Sequence, residues 1–384
     1  MQRPLRWGLI LIPIFILSTL AVGYFGWQIR RRQPPQPANF LAADKNYGVT
    51  IDLTQYDDET LNQTLEAMHA SGLVWLRQPI SWAELEPEPG QFNWQPLDRI
   101  IDAVTTFNQQ STQPTNNPPN FQLIAVLQDT PPWARPANTP LSTPPTELSD
   151  FGAFARAFAA RYGNWINHYQ IWDQPNLSAF WGDTFVDSDA YADLLREASL
   201  NIRTANPEAV ILTAALAATL EDGPLNLNEL TYLDQLYQVN ANRWFDVVAI
   251  QPFGLWTKPL DAPAPDQLNF RRAELIRQIM LNHGDGDTPI WATGFGWVAL
   301  PADWSGQPSP WSNDLPSVQA PRTAEAIDHA RRHWPWLGPM LAARWDAVGL
   351  AADDPARGFA LTETPEILTV IETATETSAF PGRY

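Results

Sequence analysis

Between residues 46 and 384 the chain repeats one pattern eight times: a short, nearly unbroken apolar run, then a longer amphipathic stretch. The apolar runs are 47–53, 73–77, 121–127, the segment ending at Ile171, 209–215, 245–250, 289–293 and 340–348. The amphipathic stretches are 58–71, 97–107, 148–162, 189–205, 227–239, 269–282, 320–334 and 365–375. A strand that is apolar on both faces must be covered on both faces, as in parallel sheets flanked by helices. Strict strand–helix alternation marks an α/β fold. Eight such units over roughly 330 residues predict one (β/α)8 TIM barrel. A doubly wound open sheet shares the alternation, but no glycine-rich phosphate loop follows the first strand.

Ahead of the barrel, Trp7 to Trp27 is 21 residues without a charge, enough to span a bilayer core of ~30 Å. Trp7, Tyr24 and Trp27 stand near its ends, where interfacial aromatics sit. The expected organisation is a short tail (1–6), a transmembrane anchor (7–27), a basic, Pro-rich linker (28–45) and the barrel (46–384). The competing reading is a cleaved signal peptide cut near Ala21, Val22 and Gly23. The apolar run continues past that point, which favours an anchor. Arg3 and Arg6 flank one side and Arg30, Arg31 and Arg32 the other, so charge alone leaves sidedness open.

Composition excludes some classes. There is no cysteine, hence no disulfide, thiolate metal site or thiol nucleophile. Five of the 24 Lys and Arg precede position 33, so 19 face all 42 acidic residues in the remainder. A body that acidic is a poor nucleic-acid binder. Only His329 and His333 of the five histidines have ligand-like spacing, on an outer helix with no glutamate between them. No metal and no cofactor are expected.

The fourth apolar run ends in Gln170-Ile171-Trp172-Asp173-Gln174-Pro175-Asn176, followed by Phe180-Trp181-Gly182. Polar residues at the C-terminal end of a barrel strand face the site where barrel chemistry occurs. Four further pieces lie at the ends of expected strands: Arg77; the 82–94 loop with Trp82, Glu86, Pro87, Gly90 and Trp94; Thr130-Pro131-Pro132-Trp133; and Thr293-Gly294-Phe295-Gly296-Trp297. In this order they resemble the retaining glycoside hydrolases built on (β/α)8 barrels, the clan of β-xylosidases and endoglucanases. The resemblance covers most of residues 46–370.

That resemblance implies two glutamates, one attacking the anomeric carbon and one acting as acid/base, roughly 5–5.5 Å apart. The acid/base belongs in a Trp-Asn-Glu-Pro-Asn motif, where this chain has Asp173 and Gln174. The nucleophile belongs in Thr-Glu-Phe-Gly, where this chain has Gly294. The His and Tyr expected after the sixth strand are Gln251 and Phe253. An amide keeps the carboxyl's shape but gives up no proton at useful pH, and glycine supplies no nucleophile. The expectation is a pseudoenzyme that binds carbohydrate or a protein partner at the cell surface, single-pass and extracytoplasmic by analogy with secreted glycosidases. Expected ligand-contacting residues are Arg77, Trp133, Asp173, Gln174, Asn176, Trp181, Gln251 and Trp297. Arg77 equally suits a structural pair with a nearby acid, and for each Trp taken singly loop packing is slightly favoured. Two other readings stay open. One is an active hydrolase using displaced carboxylates, Asp173 with Asp129 or Asp346. The other is a structural subunit of a membrane assembly.

Overall fold

The computed structural model describes residues 46–110 and 120–378. The 7–27 run, the linker to residue 45 and most of the 109–120 insert lie outside the described residues. Among those described, no helix is long and apolar enough to cross a membrane.

Eight parallel strands form one sheet: β1 (Tyr47–Thr50), β2 (Leu73–Ser81), β3 (Gln122–Gln128), β4 (His168–Ile171), β5 (Val210–Leu212), β6 (Val248–Ile250), β7 (Ile290–Phe295) and β8 (Leu337–Ala342). Ladder pairing runs from β5 through β1 to β8 and on to β6. Parallel bridges Leu212 to Val247 and Leu216 to Ile250 join the remaining edges, so the barrel is closed. Closure removes the unpaired strand edges that an open sheet leaves.

A helix follows each strand: α1 (Asp58–Ala70), α2 (Gln95–Gln110), α3 (Leu148–Tyr162), α4 (Ser188–Ala205), α5 (Glu229–Gln238), α6 (Ala273–Asn282), α7 (Pro316–His333) and α8 (Pro365–Ser378). Their starts follow capping rules. The Asp57 carboxylate accepts from Thr60 N at 2.8 Å, and Asp187 accepts from Asp189 N and Ala190 N at 3.0 and 2.9 Å. Each satisfies amides that lack an intrahelical partner. Inward faces follow the helical period: α3 buries Phe151, Phe154, Ala155, Phe158 and Tyr162 against the sheet.

Several elements depart from the expected bounds, two of them for a physical reason that involves proline. The eighth strand runs Leu337–Ala342 rather than 340–348. Pro339 lies inside it, which the ladder tolerates because β8 passes three residues, Leu337 to Met340, while β7 passes two, Ile290 to Ala292. The proline's missing N–H falls in that bulge. Helix α7 begins at Pro316, not at 320, because proline's fixed φ suits the first helical position.

The barrel floor is aromatic. Trp75 meets His168 and Trp291 edge-on at ring-centroid distances of 4.8 Å each. Burial pushes the His168 imidazole down to about 4, so it is a neutral packing ring here. Gly48 pairs with Trp75 on the neighbouring strand, and a Cβ at Gly48 would overlap the Trp75 backbone. Gly48→Ala is therefore expected to lower barrel stability by ~1–3 kcal/mol or more in urea denaturation. Gly286→Ala, whose Cβ meets only Leu281 Cδ2 at 3.5 Å, should leave the midpoint nearly unchanged.

Candidate active-site remnant at the barrel mouth

Three polar side chains, from β2, β4 and the turn just after β4, meet inside the upper barrel. Arg77 Nε donates to Gln170 Oε1 at 2.9 Å, and its Nη2 pairs with Asp173 Oδ2 at 2.8 Å. Gln170 Nε2 donates to Trp172 O at 2.8 Å and to Asp173 Oδ1 at 3.1 Å. β3 separates β2 from β4, so this contact is possible only if Arg77 and Gln170 both point inward. Arg77 is 4% exposed. A guanidinium so buried needs its charge balanced, and Asp173 supplies that balance.

The backbone after β4 is bent to allow this. Trp172 and Gln174 have φ of +67° and +49°, the left-handed region that costs non-glycine residues energy and clusters at functional sites. Trp172 N donates to Leu127 O at 2.9 Å and its indole Nε1 to Phe180 O at 2.9 Å, which hold the turn. Asp173 thereby turns towards Arg77, and Gln174 turns the other way. Gln174 Nε2 donates to Gln251 Oε1, at the end of β6, at 2.6 Å.

Gly294 completes the group. Opposite it the β7–β8 ladder shifts again, three residues of β7 against two of β8, and such a bulge re-aims the chain. A Cβ built on Gly294 would lie 3.5 Å from Gln251 Cγ and 3.4 Å from Phe253 Cζ, ordinary contact distances. Gln174 and Gly294, 120 positions apart, thus share one neighbour, Gln251.

The remaining expected residues are placed differently. Asn176 is buried, with its amide donating to Ala217 O and Leu227 O and its oxygen accepting from Ala217 N. These bonds fasten the loop after β4 to the loop after β5. Trp181 packs edge-on against Trp172 at 5.9 Å, and Trp297 lies over Gly254 with Nε1 donating to Thr257 O at 2.8 Å. They are 3% and 1% exposed, so neither offers an indole face to the cleft. Trp133 is half-buried, donating to Glu86 O at 3.0 Å. Glu86 orders its loop, accepting from Trp82 Nε1 at 2.6 Å and Gly90 N at 2.7 Å. Trp256, by contrast, is 65% exposed.

The other two carboxylates are held separately. Asp129, at φ +66° after β3, has its carboxyl pushed up by burial, partly offset by the Ser81 and Gln128 side chains. Asp346, after β8, accepts from the Tyr56 hydroxyl and from Val348 N at 3.0 Å. Burial, with the Asp346 carboxylate beside it, raises the Tyr56 phenol above its ordinary value. The three aspartates follow three different strands and have no hydrogen-bond partner in common. Among the described residues, no three His, Asp or Glu side chains are grouped to hold a metal. His329 and His333 sit 4.7 Å apart on α7, with His329 Nε2 3.3 Å from Glu274 Oε1, away from the strand ends.

Comparison with known proteins agrees with this fold. A family 39 glycoside hydrolase from Bacteroides cellulosilyticus WH2 superposes with a TM-score of 0.63 at 15% identity, over 87% of this chain and 64% of that one. The likeness is one of fold, a (β/α)8 barrel. A family 5, subfamily 18 enzyme from Streptomyces cattleya, solved with GlcNAc, gives 0.64 at 14% identity over 88% and 82% of the two chains. A monomeric β-xylosidase from Caulobacter crescentus CB15 gives 0.58 at 16% identity over 85% and 67%. The glycoside hydrolase family 42 model, described as β-galactosidase, matches residues 52–121. The chain spans under two thirds of the first of these enzymes. No curated protein sequence matches the chain significantly.

Breaking the buried pair in this barrel should be costly. Asp173→Ala leaves the Arg77 guanidinium buried and unpaired, and should destabilise by ~3–5 kcal/mol. Arg77→Met combined with Asp173→Leu should recover most of that loss. Paired denaturation curves read both.

Proposed function

We propose that this protein is a membrane-anchored glycoside-hydrolase homologue that no longer cleaves glycosides and acts by binding carbohydrate. The observation that carries the proposal is the Gln174–Gln251 amide pair at 2.6 Å, beside a glycine at residue 294. The two-carboxylate mechanism needs one group to donate and recover a proton and another to attack carbon. An amide does neither, and glycine has no side chain. Losing general acid/base catalysis alone removes ~10²–10⁴ of rate. The loss of the nucleophile comes on top, though the effects of groups that act together do not simply multiply.

The rescue reading, with displaced aspartates, has less support. Asp173 is engaged by Arg77 and Gln170, and Asp346 by Tyr56 and Val348. A protein-contact role is the second reading. Its support is a set of exposed side chains, Leu141, Phe180, Phe185, Leu220 and Leu225, on the loops after β3, β4 and β5. Those loops are knitted by Ser142 Oγ to Ala179 O and Val186 N to Pro224 O. The anchor rests on the uncharged 7–27 run, and placement of the barrel outside the cell rests on its likeness to glycosidases.

The ancestral chemistry should be recoverable, because a Cβ at Gly294 makes only ordinary contacts with Phe253 and Gln251. Gln174→Glu with Gly294→Glu is expected to create hydrolysis of activated aryl glycosides, while Gly294→Glu alone stays well below the pair. A double variant that folds yet shows no gain on any common aryl glycoside counts against the scaffold reading. For the anchor, the full-length protein should fractionate with membranes and resist carbonate extraction, whereas a chain beginning at residue 34 should appear in the soluble fraction. Equal partitioning of both would remove the anchor from the account.

A further inference from the structure

The apolar side chains exposed on the loops after β3, β4 and β5 are set in an acidic border. Phe185 is the most open of them, at 66%, and Leu225 is 49% exposed. Bonds between the loops hold this surface in one shape. Ser142 Oγ donates to Ala179 O at 2.9 Å, Val186 N to Pro224 O at 3.0 Å, and Ser178 N to Asn226 Oδ1 at 3.1 Å. Leu177 and Asn226 form an antiparallel bridge, and Leu227 N donates to Asn176 O at 2.8 Å. A partner would meet loops already ordered, which lowers the entropic cost of contact. Segments 137–147, 177–187 and 216–228 contain Glu147, Asp183, Asp187, Glu221 and Asp222, and no Lys, Arg or His. Asp183 and Asp187 flank Phe185 in sequence, while Glu221 and Asp222 lie between Leu220 and Leu225. All five acids are exposed, and among the described residues none of them is ion-paired.

Resting on the protein-contact reading above, and independent of what the barrel mouth binds, we infer that these three loops form a docking surface for a protein segment with an apolar centre and a Lys- or Arg-rich border. Clustered apolar side chains on a surface mark interaction sites, and the charges around them select the partner. A second copy of this chain fits poorly, because a two-fold contact sets the same carboxylates against each other. An anionic bilayer surface is repelled for the same reason. A basic border meets acids that have no ion pair to give up, so its charges add attraction and steer the approach.

The chain has no cysteine, so Ala179→Cys places a single environment-sensitive dye on this surface. Asn62→Cys, at an exposed position on α1, serves as the remote control. The purified full chain is titrated with three synthetic amphipathic peptides of equal length, with leucine on one helical face and lysine, glutamine or glutamate on the other. The lysine peptide should give a saturable response at residue 179 and none at residue 62. It should bind about tenfold tighter than the glutamine peptide, with the glutamate peptide silent. That gap should close as salt rises. Phe185→Ser with Leu225→Ser, both at exposed positions, should remove the response without altering the thermal midpoint. Asp183→Asn with Asp222→Asn should bring the lysine peptide down to the affinity of the glutamine peptide. Asparagine tolerates the φ of +56° at residue 183. If the glutamine peptide binds as tightly as the lysine peptide and the serine pair removes that binding, the inference is overturned and the protein-contact reading stands. Silence at residue 179 with every peptide, or a response that persists in the serine pair, overturns both.

Discussion

The upper barrel is arranged around one buried charge. Arg77 projects from β2 into a closed barrel, where an unpaired guanidinium would cost several kcal/mol. Asp173 answers it from across β3, and Gln170 bridges the two. To present Asp173 inward, the chain after β4 takes left-handed conformations at Trp172 and Gln174. The same turn directs Gln174 towards β6. The pair therefore fixes both the floor of the mouth and the direction of Gln174.

This explains why the site keeps its form while its chemistry is absent on the proposed reading. Gln174 has a partner, Gln251, of the same kind, so the two amides hydrogen-bond with no charge between them. The bulge in β7 still aims residue 294 at the same neighbour, although glycine sends nothing there. Asp173, the one carboxylate in the motif, neutralises Arg77 and so belongs to the support of the site.

Much of the fold was legible in the sequence because period and burial agree. Helix α3 matches its pattern from Leu148 to Tyr162, since its buried positions are all aromatic, alanine or glycine. The eighth strand was displaced in the sequence reading because Pro339 resembles a break, and only the opposing strand shows that a bulge absorbs it. Likewise β2 continues past Arg77 to Ser81 through Pro79. The site was legible in part. Gln251 was recognised by position, but the role of Gln170 was not, because one polar residue in an apolar run gives no sign of facing a guanidinium across a barrel. Trp297 shows a different limit. A tryptophan after a strand reads alike whether it faces solvent or backs onto Gly254, 43 positions away.

The most direct test of the central claim is a pH–rate profile of the unmodified protein with activated aryl glycosides. Without an ionising acid/base or a nucleophile at residues 174 and 294, release of the aryl group should match the buffer blank at every pH. A bell-shaped profile at ordinary enzyme rates, abolished by Asp129→Asn or Asp346→Asn, would contradict the account.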